Sequence, residues 1–212
     1  MPRSARVTVP HALHHIYARG VDKRQLFFDP EDYKIFLKRV QIITNDHDAS
    51  MVSWALLPDV FHLFLRVNDQ PLSRFMSRLL TSYSMYYNHK YSRSGPLIQS
   101  RYGSKVVQDD PYFMHVSRYI LLSPVEAGIT HDPREYEYSS MQELLGKSAL
   151  KILDQKALEK LIGAGERATK NYLTFILDGI KSDISEYNPF KNDRDILGSA
   201  RFYTHRIRPP IG

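Results

Sequence analysis

Cysteine is absent from the chain. That excludes a disulfide framework and any thiolate metal centre, and it fits a reducing compartment, so a cytoplasmic location is expected. Long apolar runs are absent too. No stretch approaches the roughly 18 apolar residues that a membrane-spanning helix needs, so no membrane partner is expected. The basic start Met1-Pro2-Arg3-Ser4-Ala5-Arg6 is not followed by an apolar segment, which argues against a secretory signal. There is no internal repeat and no low-complexity tract. What is present is a globular composition: 42% of the 212 residues are hydrophobic, enough for one domain with an extension. The net charge is +6 and the pI is about 9.4. A basic balance favours polyanions, and 10 Phe with 14 Tyr residues supply flat faces on which unpaired bases can stack.

Residues 11–20 read as a first strand ending at Gly20, followed by a polar loop, Val21-Asp22-Lys23-Arg24-Gln25. Asp29-Pro30-Glu31-Asp32 combines a cap residue, proline at the first position and acids in the first turn, so it predicts a helix start. Tyr33, Phe36, Leu37, Val40 and Ile43 carry that helix to about Asn45. The apolar run from Met51 to Leu57 is a second strand, and Pro58-Asp59 turns it into a third at 60–67. In that third strand Phe61, Leu63, Leu65 and Val67 share one face, while Val60 and His62 share the other. Pro71 opens a second helix with Phe75, Leu79, Leu80, Tyr83, Tyr86 and Tyr87 on its buried stripe. Residues 102–108 are a fourth strand. Asp109-Asp110-Pro111 repeats the helix-start signal, and Gly128 is the C-cap candidate of the third helix. The order β-α-β-β-α-β predicts an α+β fold of ferredoxin-like type: a four-stranded antiparallel sheet with helices on one face. Residues 1–146 form this domain. Residues 147–212 are read as a helical C-terminal extension, with short helices over 150–163 and 166–181, a polar stretch within 186–198 and a basic tail, Arg206-Ile207-Arg208-Pro209-Pro210.

Several segments, taken in order, resemble one family. They are His15-Ile16, Arg19-Gly20, Leu57-Pro58, Pro71-Leu72-Ser73-Arg74-Phe75-Met76, Leu80-Thr81-Ser82-Tyr83, Gln99-Ser100-Arg101-Tyr102, the run Arg118 to Gly128, and Tyr138-Ser139-Ser140. Residues 1–146 are similar to the REP-associated tyrosine transposases of the single-tyrosine HUH superfamily, IS200-like in type, with a weaker echo at Ile196-Leu197-Gly198-Ser199. The resemblance implies DNA transposition by cleavage and rejoining of single-stranded DNA at hairpin-bearing ends. Two strand histidines and a polar helix residue hold Mg²⁺ or Mn²⁺, and a tyrosine attacks the phosphodiester. On that basis Tyr119 is the candidate nucleophile, and His62 and Ser123 are the candidate metal ligands. Helical spacing places His115, Tyr119 and Ser123 on one stripe. The resemblance and the basic balance together favour phosphate contacts by Arg19, Lys23, Arg24, Arg74, Arg78, Arg101 and Arg118, with Lys90 and Arg93 on the same basic surface.

The departures fall near the expected metal site. Val60 stands where the first ligand histidine is expected and has no lone pair. Ser123 replaces the usual Asn, Pro96 a loop histidine, and Ser100 a glycine. A hard divalent ion held by one imidazole and a hydroxyl is weakly bound unless His15, Asp59 or a substrate phosphate compensates. Two functional readings follow: a metal-dependent transposase or nickase with an impaired site, and a catalytically inactive, transposase-derived protein that holds a DNA hairpin or single strand. Set against both is the plain reading of His62 as a satisfied strand histidine and Tyr119 as a packing residue. An RNA-recognition domain shares the topology, but its aromatic-basic strand signature is absent here. Monomer and homodimer both remain open.

Overall fold

The computed structural model describes residues 9, 11–99, 101–109, 112–181, 188, 195–199 and 202. Four antiparallel strands form the centre of the sheet: β1 (Leu13–Arg19), β2 (Ala49–Leu56), β3 (Val60–Val67) and β4 (Gly103–Val107). A two-residue segment, β5 (Ile196–Leu197), adds to β4 in parallel, so the order is β2-β3-β1-β4-β5 and the sheet is mixed rather than purely antiparallel. β5 is the segment with the weaker sequence echo.

The helices are α1 (Pro30–Asp46), α2 (Leu72–Lys90), α3 (Tyr112–Glu126), the single turn α4 (Met141–Leu144), α5 (Gln155–Ile162) and α6 (Glu166–Asp178). The start of α1 is a full capping box. The Asp32 N–H donates to Asp29 Oδ1 at 3.1 Å and the Asp29 N–H to Asp32 Oδ2 at 3.4 Å. The Lys90 ammonium at the end of α2 then reaches Asp29 Oδ2 at 2.7 Å and Asp32 Oδ1 at 2.9 Å. Lys90 is therefore a clasp between two helix ends and not part of a phosphate-binding surface. Gly128, at φ 69°, closes α3 in a Schellman turn: its N–H donates to Val125 O, and that of Ile129 to Pro124 O, both at 2.9 Å.

The two helices of the β-α-β-β-α-β pattern, α1 and α2, share one face of the sheet as expected. α1 and α2 pack on Ile16, Ala18, Phe61, Leu63 and Leu65. α3 packs on the opposite face, over Leu13, Val60 and Phe64, and α5 and α6 join it through Leu158, Tyr172 and Ile176. Both faces of the sheet carry enough apolar surface to need covering, and the α3 face is the one that presents His62. The start of α3 at Asp110 and Pro111, Ser100 and the basic tail at 206–210 lie outside the described residues, as does most of the polar stretch.

Candidate functional site

The face of each strand is set by alternation. Phe61, Leu63 and Leu65 bury into the α1–α2 core, which leaves Val60, His62 and Phe64 under α3. In the β1–β3 register Tyr17 lies opposite His62, Arg19 opposite Val60 and His15 opposite Phe64. In the β1–β4 register Lys105 lies opposite His15 and Gly103 opposite Tyr17. Gly103 is needed there, because a Cβ would stand 2.3 Å from the Tyr17 ring.

α3 lowers Tyr119 onto this face. Its ring meets His62 edge-on at 5.4 Å between centroids and His15 at 6.2 Å. The structure thus assembles Tyr119 with His62. It also adds His15, Tyr17, Arg19 and Lys105 to the same cluster. Tyr119 is 5% exposed, and burial, with Glu126 second, holds its phenol well above its ordinary pKa.

The two histidines are bound to each other. His15 Nε2 and His62 Nδ1 are 3.0 Å apart, with the residues 0% and 1% exposed. Burial, reinforced by Arg19, pushes His62 down to about 3. Burial, then His62 and Lys105, hold His15 well below the usual histidine range. Both imidazoles are therefore neutral near pH 7. Two neutral imidazoles carry two protons and two lone pairs, and their mutual hydrogen bond uses one of each.

Ser123 is committed elsewhere, and the reason lies in its neighbour. Pro124 sits inside α3 and has no N–H to give to the carbonyl of Ile120 four residues back. Ser123 Oγ donates to that oxygen at 2.7 Å. The hydroxyl thus repairs the hydrogen bond that the proline removes. With Val60 offering no donor, and no group of three His, Asp or Glu placed to hold a metal among the described residues, the donor set does not fit a divalent ion that prefers several oxygen ligands.

His115 does not share the Tyr119 position. It is exposed, and its ring meets the edge of Phe175 on α6 at 6.0 Å. Four-residue steps advance about 40° around a helix, so His115 and Ser123 lie about 80° apart. Among the expected DNA contacts, Arg118 is turned to α6. Its Nε and Nη2 donate to Phe175 O at 3.1 and 2.7 Å, and its guanidinium lies 3.5 Å from the centre of the Phe175 ring. Arg78 pairs with Asp46 at 2.7 Å, on the outer face of α2 beside exposed Arg74. Arg93 lies over Tyr87 at 5.7 Å. Arg19, Lys23, Arg24 and Arg101 gather at one end of the sheet, where Gly20 bridges Ile98 and the Gln99 N–H donates to Arg19 O at 2.9 Å. Exposed Pro96 belongs to that loop. Asp59, at the β2–β3 turn, accepts the Gly20 N–H on its backbone carbonyl at 2.9 Å.

Sequence reasoning did not find Lys105 or Tyr17 as site residues. Lys105 and Tyr17 were within reach had the register of β1 against β4 been known. The role of Pro124 was readable, since a proline inside a helix always orphans a carbonyl.

No helix of the described residues is long and apolar enough to cross a membrane. No curated protein matches the chain. A solved structure of "the REP associates tyrosine transposase bound to a REP hairpin" is 15% identical, covers 72% of this chain and 90% of its own, and has a TM-score of 0.59. A putative transposase from Deinococcus radiodurans is 15% identical over 70% of this chain and 99% of its own, with a TM-score of 0.40. A bacterial tRNA(His) guanylyltransferase (Thg1)-like protein in complex with GTP is 12% identical over 60% and 72%, with a TM-score of 0.34. The first of these has the same fold; the other two scores are too low to bear on it. The family model "Transposase IS200 like" matches residues 8–121, more than half of the 212. The chain belongs to the IS200-like transposase family.

Proposed function

We propose that this protein binds hairpin-bearing or single-stranded DNA through its transposase fold and does not cut it by metal-assisted tyrosine attack. The observation that carries this reading is the 3.0 Å His15–His62 contact. It engages the imidazole that a metal would need, and among the described residues no group of three His, Asp or Glu is placed to hold a metal. DNA as the ligand is supported by the family, by the net charge of +6, and by the group Arg19, Lys23, Arg24 and Arg101 at one sheet end. The neighbour of the same fold is described with a REP hairpin bound. Location in the cytoplasm accords with such a role.

The protein is proposed to act as a monomer at the β2 edge. That edge is covered by its own chain: the Leu56 N–H donates to Tyr138 O, and the Ser140 N–H to Trp54 O, both at 2.9 Å. A second copy has no backbone ladder to join there.

A second reading, tyrosine attack aided by Mg²⁺ or Mn²⁺ at a weakened site, is favoured by one distance, the 5.4 Å between the Tyr119 and His62 rings. Incubation with hairpin-tipped single-stranded DNA and Mn²⁺, followed by a denaturing gel, separates the two. The binding reading expects no retarded protein–DNA band, and salt-sensitive affinity that Tyr119→Phe leaves unchanged. A Mn²⁺-dependent band that disappears in Tyr119→Phe would establish the enzyme. Gain of that band in Val60→His/Ser123→Asn alone would locate the loss in the ligands.

A further inference from the structure

The surface of α2 is one-sided in charge. The helix is 19 residues long and carries no acidic residue. Arg74, Arg78, Thr81, Met85 and Asn88 follow one another at alternating steps of four and three residues. They therefore form one stripe, about 80° wide and about 21 Å long. Ser77 and Ser84 flank it on one side and Ser82 on the other. Arg74, Ser77, Arg78, Thr81 and Met85 are exposed, Met85 at 69%.

Two shallow grooves join along this stripe. One, of about 620 Å³, is lined by Ser73, Arg74, Ser77, Arg78, Thr81 and Met85. The next, of about 390 Å³, shares Thr81 and Met85 and runs past Asn88 to the loop residues Pro96, Leu97 and Ile98. Among the described residues no acid lines either groove. The far end is tied to the basic end of the sheet. The Val21 N–H donates to Leu97 O at 3.0 Å, and Ile98 bridges Gly20. Exposed Lys23 and Arg24 follow directly, so the α2 stripe and the basic end form one track.

Two acids stand near the other end: Asp69, which shortly precedes Pro71 in the chain, and Asp46. Asp46 pairs with Arg78 Nη1 at 2.7 Å, with both side chains about half exposed. An exposed pair of this kind is weak, and a phosphate can share or replace the carboxylate. Burial, then Arg78 and Arg74, hold His47 below the ordinary histidine range, with Asp46 opposing them less strongly. The two guanidinium groups thus outweigh the acid beside them.

Arg, Ser, Thr and Asn are the side chains that bond phosphate oxygens without reading sequence. Met85 adds a flexible apolar contact for a sugar. The length of the stripe matches about six steps of a B-form strand at about 3.4 Å each. A second copy of the chain fits less well, because a two-fold contact through this face sets arginines against arginines.

We propose that the outer face of α2, from Arg74 to the loop at Ile98, holds the sugar–phosphate backbone of a duplex DNA stem. This rests on the DNA-binding reading above and places the double-stranded part of the DNA on the side of the sheet opposite Tyr119.

The test is fluorescence anisotropy of the full chain with a dye-labelled blunt DNA hairpin, titrated over a range of salt. Arg74→Gln and Arg78→Gln are each expected to lower the slope of log K against log salt by about one and to weaken binding roughly eight-fold at about 0.1 M salt. Met85→Glu sets a carboxylate in the groove at an exposed position and is expected to weaken binding by a similar factor. Lys170→Gln, on the exposed side of α6, is expected to bind as wild type does. Wild-type affinity and slope in both arginine variants or in Met85→Glu would overturn the proposal and leave the DNA-binding reading intact. So would an equal loss in Lys170→Gln, which would reduce the effect to net charge, or a wild-type protein that binds only hairpins with a single-stranded extension. A dimer of the free protein that Met85→Glu dissociates in sedimentation would assign the face to a second copy and overturn the proposal as well. Failure of the wild-type protein to bind a hairpin of either kind would overturn the DNA-binding reading first.

Discussion

Acid should undo this fold in a way that His62 controls. The imidazole is fully buried and its pKa falls from 6.5 to about 3, so the folded protein keeps it neutral while the unfolded chain protonates it below pH 6.5. Between those values the unfolded state binds more protons, and stability falls as pH falls. Each pH unit in that window costs about 1.4 kcal/mol for one such group, so about 3 kcal/mol is lost between roughly pH 6.5 and 4.5. His15, His14 and His47 are also held low by burial and act in the same direction. The Asp29 and Asp32 carboxylates, held low by contacts at the α1 start that include Lys90, add their losses only as pH drops through their own lower range. The perturbation is therefore His62→Gln, which keeps an acceptor for a His15 N–H and removes the titration. The assay is urea unfolding at about pH 7, 5.5 and 4.5, followed by fluorescence of Trp54, the single tryptophan and a buried one. The variant is expected to be less stable at neutral pH and to lose about 1.4 kcal/mol less per pH unit than wild type. Parallel lines of unfolding free energy against pH would refute the picture of a neutral, buried imidazole pair.

The repair of α3 by Ser123 gives a double-mutant cycle. Ser123→Ala alone leaves Ile120 O without its donor and should cost about 1–2 kcal/mol, whereas in a Pro124→Ala background the new backbone N–H serves that carbonyl and Ser123→Ala should cost a few tenths. Equal costs in both backgrounds, measured by urea unfolding, would dissolve the link. At the other side of the sheet, Asp32 is a buried acceptor for the Phe28 N–H at 2.8 Å, the Tyr91 hydroxyl at 2.7 Å, the Tyr86 hydroxyl at 3.0 Å and Lys90 at 2.9 Å. Asp32→Ala removes all four contacts, Lys90 alone keeping a carboxylate in Asp29, and should lose about 3 kcal/mol in thermal or urea unfolding, and a loss under about 1 kcal/mol would show that the clasp is a surface feature.

Much of the frame could be read along the chain because local signals agreed with one another. The third strand was placed over 60–67, as Val60–Val67 is observed, because Phe61, Leu63, Leu65 and Val67 alternate without a break and Pro58-Asp59 fixes the turn before them. Asp29-Pro30 marked the start of α1 for the same reason: cap, proline and acids all point one way. The side of the sheet taken by α3 was not legible. Val116, Tyr119, Ile120, Leu121, Leu122 and Ser123 are all buried, so the helix has no polar stripe from which its facing can be deduced. The partners of His62 were equally hidden. That His15 would meet it depends on the β1–β3 register, which pairs residues 47 positions apart. The same holds for Lys105 and Asp195, brought together across 90 residues of chain by two short strand pairings.

The substitutions near Tyr119 are tied together by physical chemistry. Val60 offers no nitrogen beside His62, and a buried neutral imidazole needs a hydrogen-bond partner. His15, on the neighbouring strand and on the same face, supplies it. Once Pro124 removes a backbone donor, the Ser123 hydroxyl gains a structural duty that competes with any ligand role. His62 and Ser123 each satisfy a neighbouring group within the fold. Arg19 and Lys105 add positive charge to the same face of the sheet, and their field opposes a bound cation. The phenol of Tyr119, held protonated by burial, packs edge-on against His62 over that same face.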